Sequence, residues 1–333
     1  MSNKTLLNAG KAKNDEFYTQ LPDIERECAH YTEQFQGKTV LCNCDDPAES
    51  QFWKYFHTHF SELKLKKLIS THFDPEGTYR MDYSGGSDAR CGIGTKISMQ
   101  GNGDFRSNEC AGVLRQADIV VTNPPFSLFR EFIAQLITYG KKFLVIGNNN
   151  ALTYKEIFRL IKENKLWLGY NVNKTIAFVL SGAYQVWDRI ENGKKIGVVP
   201  AISWYTNLTV SKRALPLALS RHYDPALYPK YDSYDAINVK RVTEIPADWD
   251  GKMGVPVTFL GKYNPAQFEI IGLDRYVDDN PRFGRRFTIN NKETYARVLI
   301  RRRPPNESGA GCRAIVSHPA RNSPAHPGVN TPS

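Results

Sequence analysis

Short apolar runs alternate with amphipathic segments along the first half of the chain. Apolar runs predict buried strands at residues 39–44, 67–73, 118–122 and 142–146, and apolar residues at helical spacing predict helices at 50–60, 128–139 and 155–163. In the first of these helices, Phe52, Phe56 and Phe60 recur on one face. Strands that alternate with helices are typical of an α/β fold with a doubly wound, largely parallel sheet and helices on both faces.

The pattern changes after about residue 165. Short alternating runs at 175–180, 185–187, 198–206, 257–260, 268–271 and 297–300 predict a β-rich second half. Residues 82–108 are rich in Gly, Ser, Asp and Asn, which predicts a loop or a small hairpin. Residues 301–333 contain six prolines and almost no large apolar residue, so we expect a disordered tail. The chain therefore divides into regions 1–165, 166–300 and 301–333, and we expect the second to add strands to the sheet of the first.

Composition and charge narrow the functional classes. The 333 residues carry 44 Lys and Arg against 34 Asp and Glu, a net charge of +10 that favours an anionic partner such as nucleic acid, although such an excess also serves solubility. No apolar run predicts a transmembrane helix or a secretory signal. The six cysteines form no C-x-x-C pair, and His57 and His59 have no third ligand nearby in the sequence, so we expect no metal site and a reducing cytoplasm.

One short string indicates a specific chemistry. Asn123, Pro124, Pro125 and Phe126 follow a predicted strand and precede a helix, at the strand end where doubly wound sheets bind ligands. Prolines have no N–H group, so the Asn123 side-chain oxygen and the Pro124 carbonyl can both accept hydrogen bonds from an exocyclic amino group. Phe126 offers a flat face on which a base can stack. A simple Pro-Pro turn is the structural alternative.

Acidic residues follow two other predicted strands. Asp74 ends the second strand, where doubly wound folds place an acid that binds ribose hydroxyls, or it is a turn residue before a proline. Asp45, Asp46 and Pro47 lie between the first strand and its helix. A carboxylate at this position can bind a cofactor amino group, or the aspartates can simply cap the helix.

These motifs together resemble the EcoRI-type adenine-specific DNA methyltransferase family, which uses S-adenosylmethionine. The resemblance extends from about residue 8 to residue 301 and rests on KNDEFYT (13–19), CNCDDPAESQFWKYF (42–56), GDF (103–105) and NPPF (123–126), with support from 202–208 and 256–272. NPPF is similar to motif IV of the amino-methylating enzymes. Most of those enzymes have a glycine-rich turn after the first strand, which this chain and the EcoRI-type subgroup lack.

The resemblance implies a Rossmann-like methyltransferase sheet and gives each motif a role. NPPF is the catalytic motif. The implied cofactor-binding residues for S-adenosyl-L-methionine are Phe17, Tyr18 and Thr19 around its methionine part, then Asp45, Asp46, Pro47 and Asp74, and finally Asp104 and Phe105 at its adenine. The motif order is that of the gamma group, in which the C-terminal part recognises the target.

The resemblance further implies methyl transfer to N6 of an adenine flipped out of a specific duplex DNA site, in a restriction-modification system or by an orphan enzyme. Basic residues that can contact phosphates or guanine edges are Arg275, Arg282, Arg285, Arg286 and Lys292, with Arg297, Arg301, Arg302 and Arg303 beside them. We expect a monomer, and any restriction endonuclease partner is expected to act separately. Cytosine N4 methylation, methylation of protein glutamine or RNA, and a non-catalytic DNA-binding module remain alternatives at this point.

Overall fold

The computed structural model of the protein describes residues 17–75, 77–86, 94–180, 187–277, 279–280 and 283–304. Some sequence predictions concern residues outside this set. They are the segment 13–16, most of the strand predicted at 185–187, Arg282, and the tail from residue 305 onward.

A mixed sheet of eleven strands forms the centre of the described structure. Its strands are β1 (Phe17–Thr19), β2 (Thr39–Asn43), β3 (Lys67–Thr71), β4 (Tyr79–Tyr83), β5 (Thr95–Ser98), β6 (Ile119–Thr122), β7 (Lys142–Asn148), β8 (Trp167–Leu168), β9 (Lys174–Leu180), β10 (Arg189–Glu191) and β11 (Lys194–Thr206). The order is β1-β9-β11-β7-β6-β2-β3-β4-β5, with β8 and β10 paired to β11. The central strands β7, β6, β2 and β3 are parallel, so their carboxyl ends share one edge.

Helices cover both faces of this sheet. The α-helices among the described residues are α1 (Leu21–Cys28), α2 (Thr32–Phe35), α3 (Gln51–Thr58), α4 (Asn108–Gln116), α5 (Phe129–Thr138) and α6 (Lys155–Lys162). Alternate residues of β2 enter different cores, because side chains alternate across a strand. Val40 and Cys42 pack with α1, α2 and α3, whereas Leu41 packs with α4, α5 and α6.

Three helices, α1, α2 and α4, were not predicted from the sequence. The sequence of α1, LPDIEREC, has few apolar residues, and its buried face includes the charged Glu27. Helix α4 begins at Asn108, the last residue of the polar segment 82–108, and Ser107 caps it by accepting a hydrogen bond from the Cys110 N–H (3.1 Å). Of the two strands that pair antiparallel here, β5 lies within that segment but most of β4 precedes it, so the hairpin begins earlier than predicted.

A second sheet lies in the C-terminal part of the described chain. Its strands are β12 (Ile237–Asn238), β13 (Met253–Pro256), β14 (Phe268–Leu273) and β17 (Arg297–Arg302), in the order β12-β13-β17-β14, and β15 (Thr288–Ile289) and β16 (Lys292–Glu293) form a separate hairpin. Strand β17 pairs with β14 as far as Arg302, so regular structure continues past the predicted boundary at residue 300. This sheet packs through Phe268 and Ile270 into the same core as α6.

The strand predicted at 257–260 is wrong, because Val257–Lys262 forms a 3₁₀ turn. Phe259 and Leu260 are adjacent and are both buried in the same core. Neighbouring side chains of a strand would point to opposite faces, so a strand could not bury both on one side. A tight helical turn brings the two side chains to one side.

Strands β9 and β11 project beyond the carboxyl edge of the parallel strands. Ile202 of β11 pairs with Asn148, the last residue of β7, so the earlier part of β11 extends past that edge. A register shift between Val199 and Ile202 interrupts β11 there, and Ala201 has a φ of 58°. The projecting part pairs with β9, and β9 pairs with β1. These three strands therefore border the space beyond the carboxyl ends of the parallel strands on one side.

Candidate active site

The NPPF string lies at the carboxyl edge of the sheet, directly after β6. Asn123 and Pro124 are buried, whereas Pro125 and Phe126 are half-buried. The Leu128 N–H donates to the Pro125 carbonyl (3.0 Å), which closes a tight turn just before α5 begins. The string is therefore held between a buried strand and a helix rather than in a loose loop.

Hydrogen bonds join this edge of β6 to the loop after β2. The Thr122 hydroxyl, one residue before Asn123, bonds to the Asn43 carbonyl and to the Asp45 carboxylate. The same carboxylate accepts from the Ser50 hydroxyl (3.1 Å), and the Asp45 carbonyl accepts from the Ser70 hydroxyl (2.6 Å). Asp45 thus connects the ends of three neighbouring strands.

Asp46 orders the rest of the acidic loop. Its side-chain oxygen accepts from the Ala48 N–H (2.9 Å) and from the Tyr79 hydroxyl (3.0 Å). Burial and the neighbouring Asp46 raise the pKa of Tyr79 to about 12, so the hydroxyl keeps its proton and donates. The helix cap is Ser50, whose hydroxyl oxygen accepts from the Phe52 N–H (3.1 Å). The alternative in which the aspartates cap α3 is therefore wrong, and half-buried Pro47 lies in the turn between them and the cap.

Asp74 and the segment around Asp104 lie side by side. The Asp74 N–H donates to the Asn102 carbonyl (2.9 Å), which holds the loop after β3 against the loop before α4. Gly103 has a φ of +76°, and a Cβ there would lie 1.8 Å from the His72 carbonyl oxygen, so the contact requires glycine. This close approach explains the glycine of the GDF string.

Asp104 and Phe105 make contacts within the protein. Arg106 donates to the Asp104 carboxylate (2.7 Å), and these hydrogen bonds keep the pKa of Asp104 below its usual value. Phe105 is buried, and its ring packs edge-on against Phe132 at 5.1 Å between centroids. Phe105 therefore forms part of the core under this edge.

The Phe17–Thr19 strand reaches the site through Phe178. Thr19 pairs with Phe178 of β9, Tyr18 pairs with Val179, and the Phe178 ring contacts Phe126 edge-on at 6.4 Å between centroids. Phe178 was not predicted as a site residue, because its position above Phe126 depends on the register of β9 against β11. Tyr79 was not predicted either, because it lies outside the motifs.

Some buried polar atoms at this edge have no hydrogen-bond partner among the described residues. They include the Thr19 hydroxyl oxygen and the Asn43 side-chain oxygen. A buried polar group left without a partner costs about 1–3 kcal/mol, so such a group often indicates a ligand position. Thr19 belongs to a predicted cofactor motif, whereas Asn43 was not singled out, although it directly precedes the acidic loop.

The predicted DNA-contacting residues differ in exposure. Arg285 and Lys292 are exposed, and Arg275 is half-buried. Arg286 lies 3.4 Å from the fully buried Asp274, whose pKa is raised by burial. The buried Arg297 donates to Asn238 (2.9 Å), so it supports the second sheet and is not part of an exposed basic face. Beyond it, Arg301 is exposed, Arg302 lies 3.6 Å from Asp250, and Arg303 donates to the Pro265 carbonyl (2.9 Å).

Comparison with known proteins identifies the family. Residues 5–303 match the family described as adenine-specific methyltransferase EcoRI. The chain belongs to this family.

Similar proteins include Type II methyltransferase M.EcoRI of Escherichia coli, 46% identical over 90% of this chain and 97% of that protein. Type II methyltransferase M.MgeORF184P of Mycoplasma genitalium is 42% identical over 88% of this chain and 97% of that protein. Type II methyltransferase M.MpnI of Mycoplasma pneumoniae is 41% identical over 89% of this chain and 97% of that protein. No solved structure matches the chain significantly.

Family membership confirms the predicted enzyme class. The protein is a site-specific, adenine-specific DNA methyltransferase that acts on duplex DNA with a methyl donor. The cytosine, protein, RNA and non-catalytic alternatives are thereby set aside. No helix in the described ranges is long and apolar enough to cross a membrane. Among the described residues no three His, Cys, Asp or Glu side chains form a group that could hold a metal ion.

Proposed function

We propose that the enzyme transfers a methyl group from S-adenosylmethionine to N6 of an adenine flipped out of a specific duplex site, with NPPF as the catalytic motif. The observation that carries this proposal is the position of buried Asn123 at the carboxyl edge of the parallel strands, joined through Thr122 to the acidic loop. An amino group and a methyl donor bound at this one edge would meet there.

The proposed chemistry needs no strong base. The Asn123 side-chain oxygen and the Pro124 carbonyl accept the two hydrogens of the exocyclic amino group and so aim the nitrogen lone pair. S-Adenosylmethionine, when bound, supplies a methyl group on a positively charged sulfur, so nitrogen can attack before it loses a proton. Phe126, with Phe178 edge-on beside it, stacks against the base. Pro125 keeps the turn rigid, because its carbonyl accepts the Leu128 N–H.

The residues around this edge fit the cofactor. We assign the methionine end to β1, with Phe17, Tyr18 and Thr19, because the Thr19 hydroxyl oxygen is buried without a described partner. We assign the polar groups of the nucleoside to Asp74 and to the loop of Asp45, Asp46 and Pro47, with the side-chain oxygen of Asn43 beside that loop. Asp104 and Phe105 form the adjoining side, where the cofactor adenine would lie. The hydrogen bonds of Asp46 fix the turn that glycines form in the wider class.

The order of the strands supports a Rossmann-like methyltransferase fold. Strand β11 lies beside the parallel strand β7 and runs antiparallel to it, and β9 lies on the other side of β11. We propose residues 1–165 as the catalytic domain, 166–300 as the target-recognition region and 301–333 as a tail. Of the recognition region, β9 and β11 add strands to the catalytic sheet, whereas the second sheet would face DNA together with the predicted basic residues. We further propose a cytoplasmic monomer that acts separately from any restriction endonuclease.

Radiolabelled methyl transfer tests this function. DNA without adenine methylation is incubated with S-[methyl-³H]adenosylmethionine and analysed as nucleosides, and label in N6-methyladenine is expected. Asn123→Ala should lower the rate about a hundredfold or more while DNA binding stays unchanged. Asn108→Ala, an exposed position on α4, is the matched control. Equal rates for the Asn123 variant and wild type would refute the assigned role.

A further inference from the structure

A groove separates the carboxyl edge of the large sheet from the second sheet. It has a volume of about 570 Å³ and is lined by Asn150 on one side and by Lys240 and Tyr295 on the other. A second cavity of about 380 Å³ adjoins it, and Lys240 lines both. The two cavities therefore form one continuous surface.

The charges on this surface have one sign. The groove and its neighbour are lined by Lys240, Arg241, Lys262, Arg286 and Arg297, and by no Asp or Glu among the described residues. Lys240 and Lys262 are exposed and form no ion pair with a described residue, and Arg241 lies 3.9 Å from its nearest carboxylate, that of Glu244. Arg286 and Arg297 bind Asp274 and Asn238 inside the protein. The available positive charge is thus that of the first three residues, and it suits a polyanion.

Tyr295 adds an aromatic surface to the same groove. Its side chain is 87% exposed, on the turn between β16 and β17. An aromatic ring beside a row of cations is the combination with which proteins bind unstacked bases of nucleic acid, since every base has a face on which such a ring can stack.

The groove opens beside the NPPF string. Thr122 of β6 pairs with Val145 of β7, which places Asn123 level with Ile146, three residues before Asn149 at the groove. With a strand spacing of about 4.8 Å and a rise of about 3.3 Å per residue, the backbones of Asn123 and Asn149 lie about 11 Å apart. A base flipped to Asn123 would leave its duplex within reach of the groove.

We propose that this groove holds the duplex DNA next to the flipped adenine, with Lys240, Arg241 and Lys262 on phosphates and Tyr295 stacked on a base face that flipping exposes. The proposal rests on the function proposed above and differs from the sequence expectation. The sequence expectation assigned the main phosphate contacts to the arginines around residue 285. The groove assigns them instead to the segment before β13 and to the turn after β13.

The salt dependence of DNA binding tests the phosphate contacts. The probe is a duplex that contains the site found by sequencing DNA methylated by the wild-type enzyme. Each lost phosphate contact lowers the slope of log Kd against log salt by about 0.9, so the double variant Lys240→Gln/Lys262→Gln should lose about 1.8. The matched control is Lys38→Gln/Lys142→Gln. It removes the same charge at the amino edge of the large sheet, opposite the edge that borders the groove. An unchanged slope, or an equal fall in the control pair, would overturn the assignment.

Tyr295 is tested by a conservative pair of variants. Tyr295→Ser should weaken binding to the same duplex about tenfold, whereas Tyr295→Phe, which keeps the ring, should bind like wild type. Equal binding by Tyr295→Ser would overturn the stacking role. Circular dichroism and methyl-donor binding show that each variant is folded, because neither depends on the groove.

The two proposals fail in different ways. Absence of N6-methyladenine from wild-type reactions would refute the proposed function before any groove variant is made. Normal wild-type methylation together with unchanged DNA binding by the lysine and tyrosine variants would refute only the groove.

Discussion

Glu27 is a fully buried carboxylate that joins helix α1 to the segment after β8. One of its oxygens accepts from the Tyr31 hydroxyl (2.8 Å) and the Tyr170 N–H (2.7 Å). The other accepts from the Asn171 N–H (2.7 Å) and side chain (2.9 Å). Gly169 allows this close approach, since a Cβ there would lie 2.1 Å from the carboxylate. We therefore expect Glu27→Gln to destabilise the fold although it barely changes the shape of the side chain.

The magnitude follows from the four donors. A glutamine can accept at only one of the two positions, and its amide N–H groups must face the other pair. The best orientation turns the amide toward Tyr31, whose hydroxyl can accept instead, but it leaves the Tyr170 N–H without a partner. That loss costs about 1–3 kcal/mol, and the two bonds to Asn171 weaken because their acceptor is no longer charged. We expect a loss of about 3 kcal/mol in the free energy of unfolding.

Urea denaturation followed by circular dichroism measures this change. The midpoint should fall with an unchanged slope, which indicates a change in stability rather than in the surface exposed on unfolding. Glu25→Gln, an exposed position on the same helix, is the control and should stay within about 0.5 kcal/mol of wild type. A Glu27→Gln protein within about 1 kcal/mol of wild type would refute the argument that the charge itself is needed.

Further predictions concern the loops of the candidate site and the tail. Tyr79→Phe removes the hydrogen bond to Asp46, worth about 1 kcal/mol, so methyl-donor binding measured by calorimetry should weaken about fivefold. Burial lowers the pKa of His72 below 6.5, so the unfolded chain binds more protons and wild-type stability should fall as pH drops below 6.5; His72→Gln should show a smaller fall in urea titrations. Gly103→Ala should abolish methylation through its clash with the His72 carbonyl, as the tritium assay would show. Deletion of residues 304–333 should leave the methylation rate unchanged.

The periodicity of side chains was sufficient to predict the centre of the fold. Seven elements appear within a few residues of their predicted bounds: the helices α3, α5 and α6 and the strands β2, β3, β6 and β7. Each of these helices buries its apolar residues in one core, and the strands bury theirs in the cores on both faces of the sheet. Helix α1 was missed for the converse reason: it buries a carboxylate, so its sequence resembles an exposed segment. A burial pattern that includes charge cannot be recognised from apolar spacing.

The candidate site was likewise only partly predictable from the sequence. The position of Asn123 followed from its string, since a strand end before NPPF fixes where those four residues lie. Which contacts surround it did not follow. Phe178 meets Phe126 because β11 pairs with β7 over one half and with β9 over the other, and the register of antiparallel strands is set by tertiary packing.

The sequence by itself determined the family and its activity, the parallel core and the position of the NPPF string, because these depend on local periodicity and on strings that are rarely found by chance. Only the tertiary structure decided which basic residues are available to DNA. Arg297 and Lys240 look alike in the sequence, yet one lies buried against Asn238 and the other lines the groove. The difference arises because burial of a charge depends on partners far away along the chain, and packing alone brings those partners together.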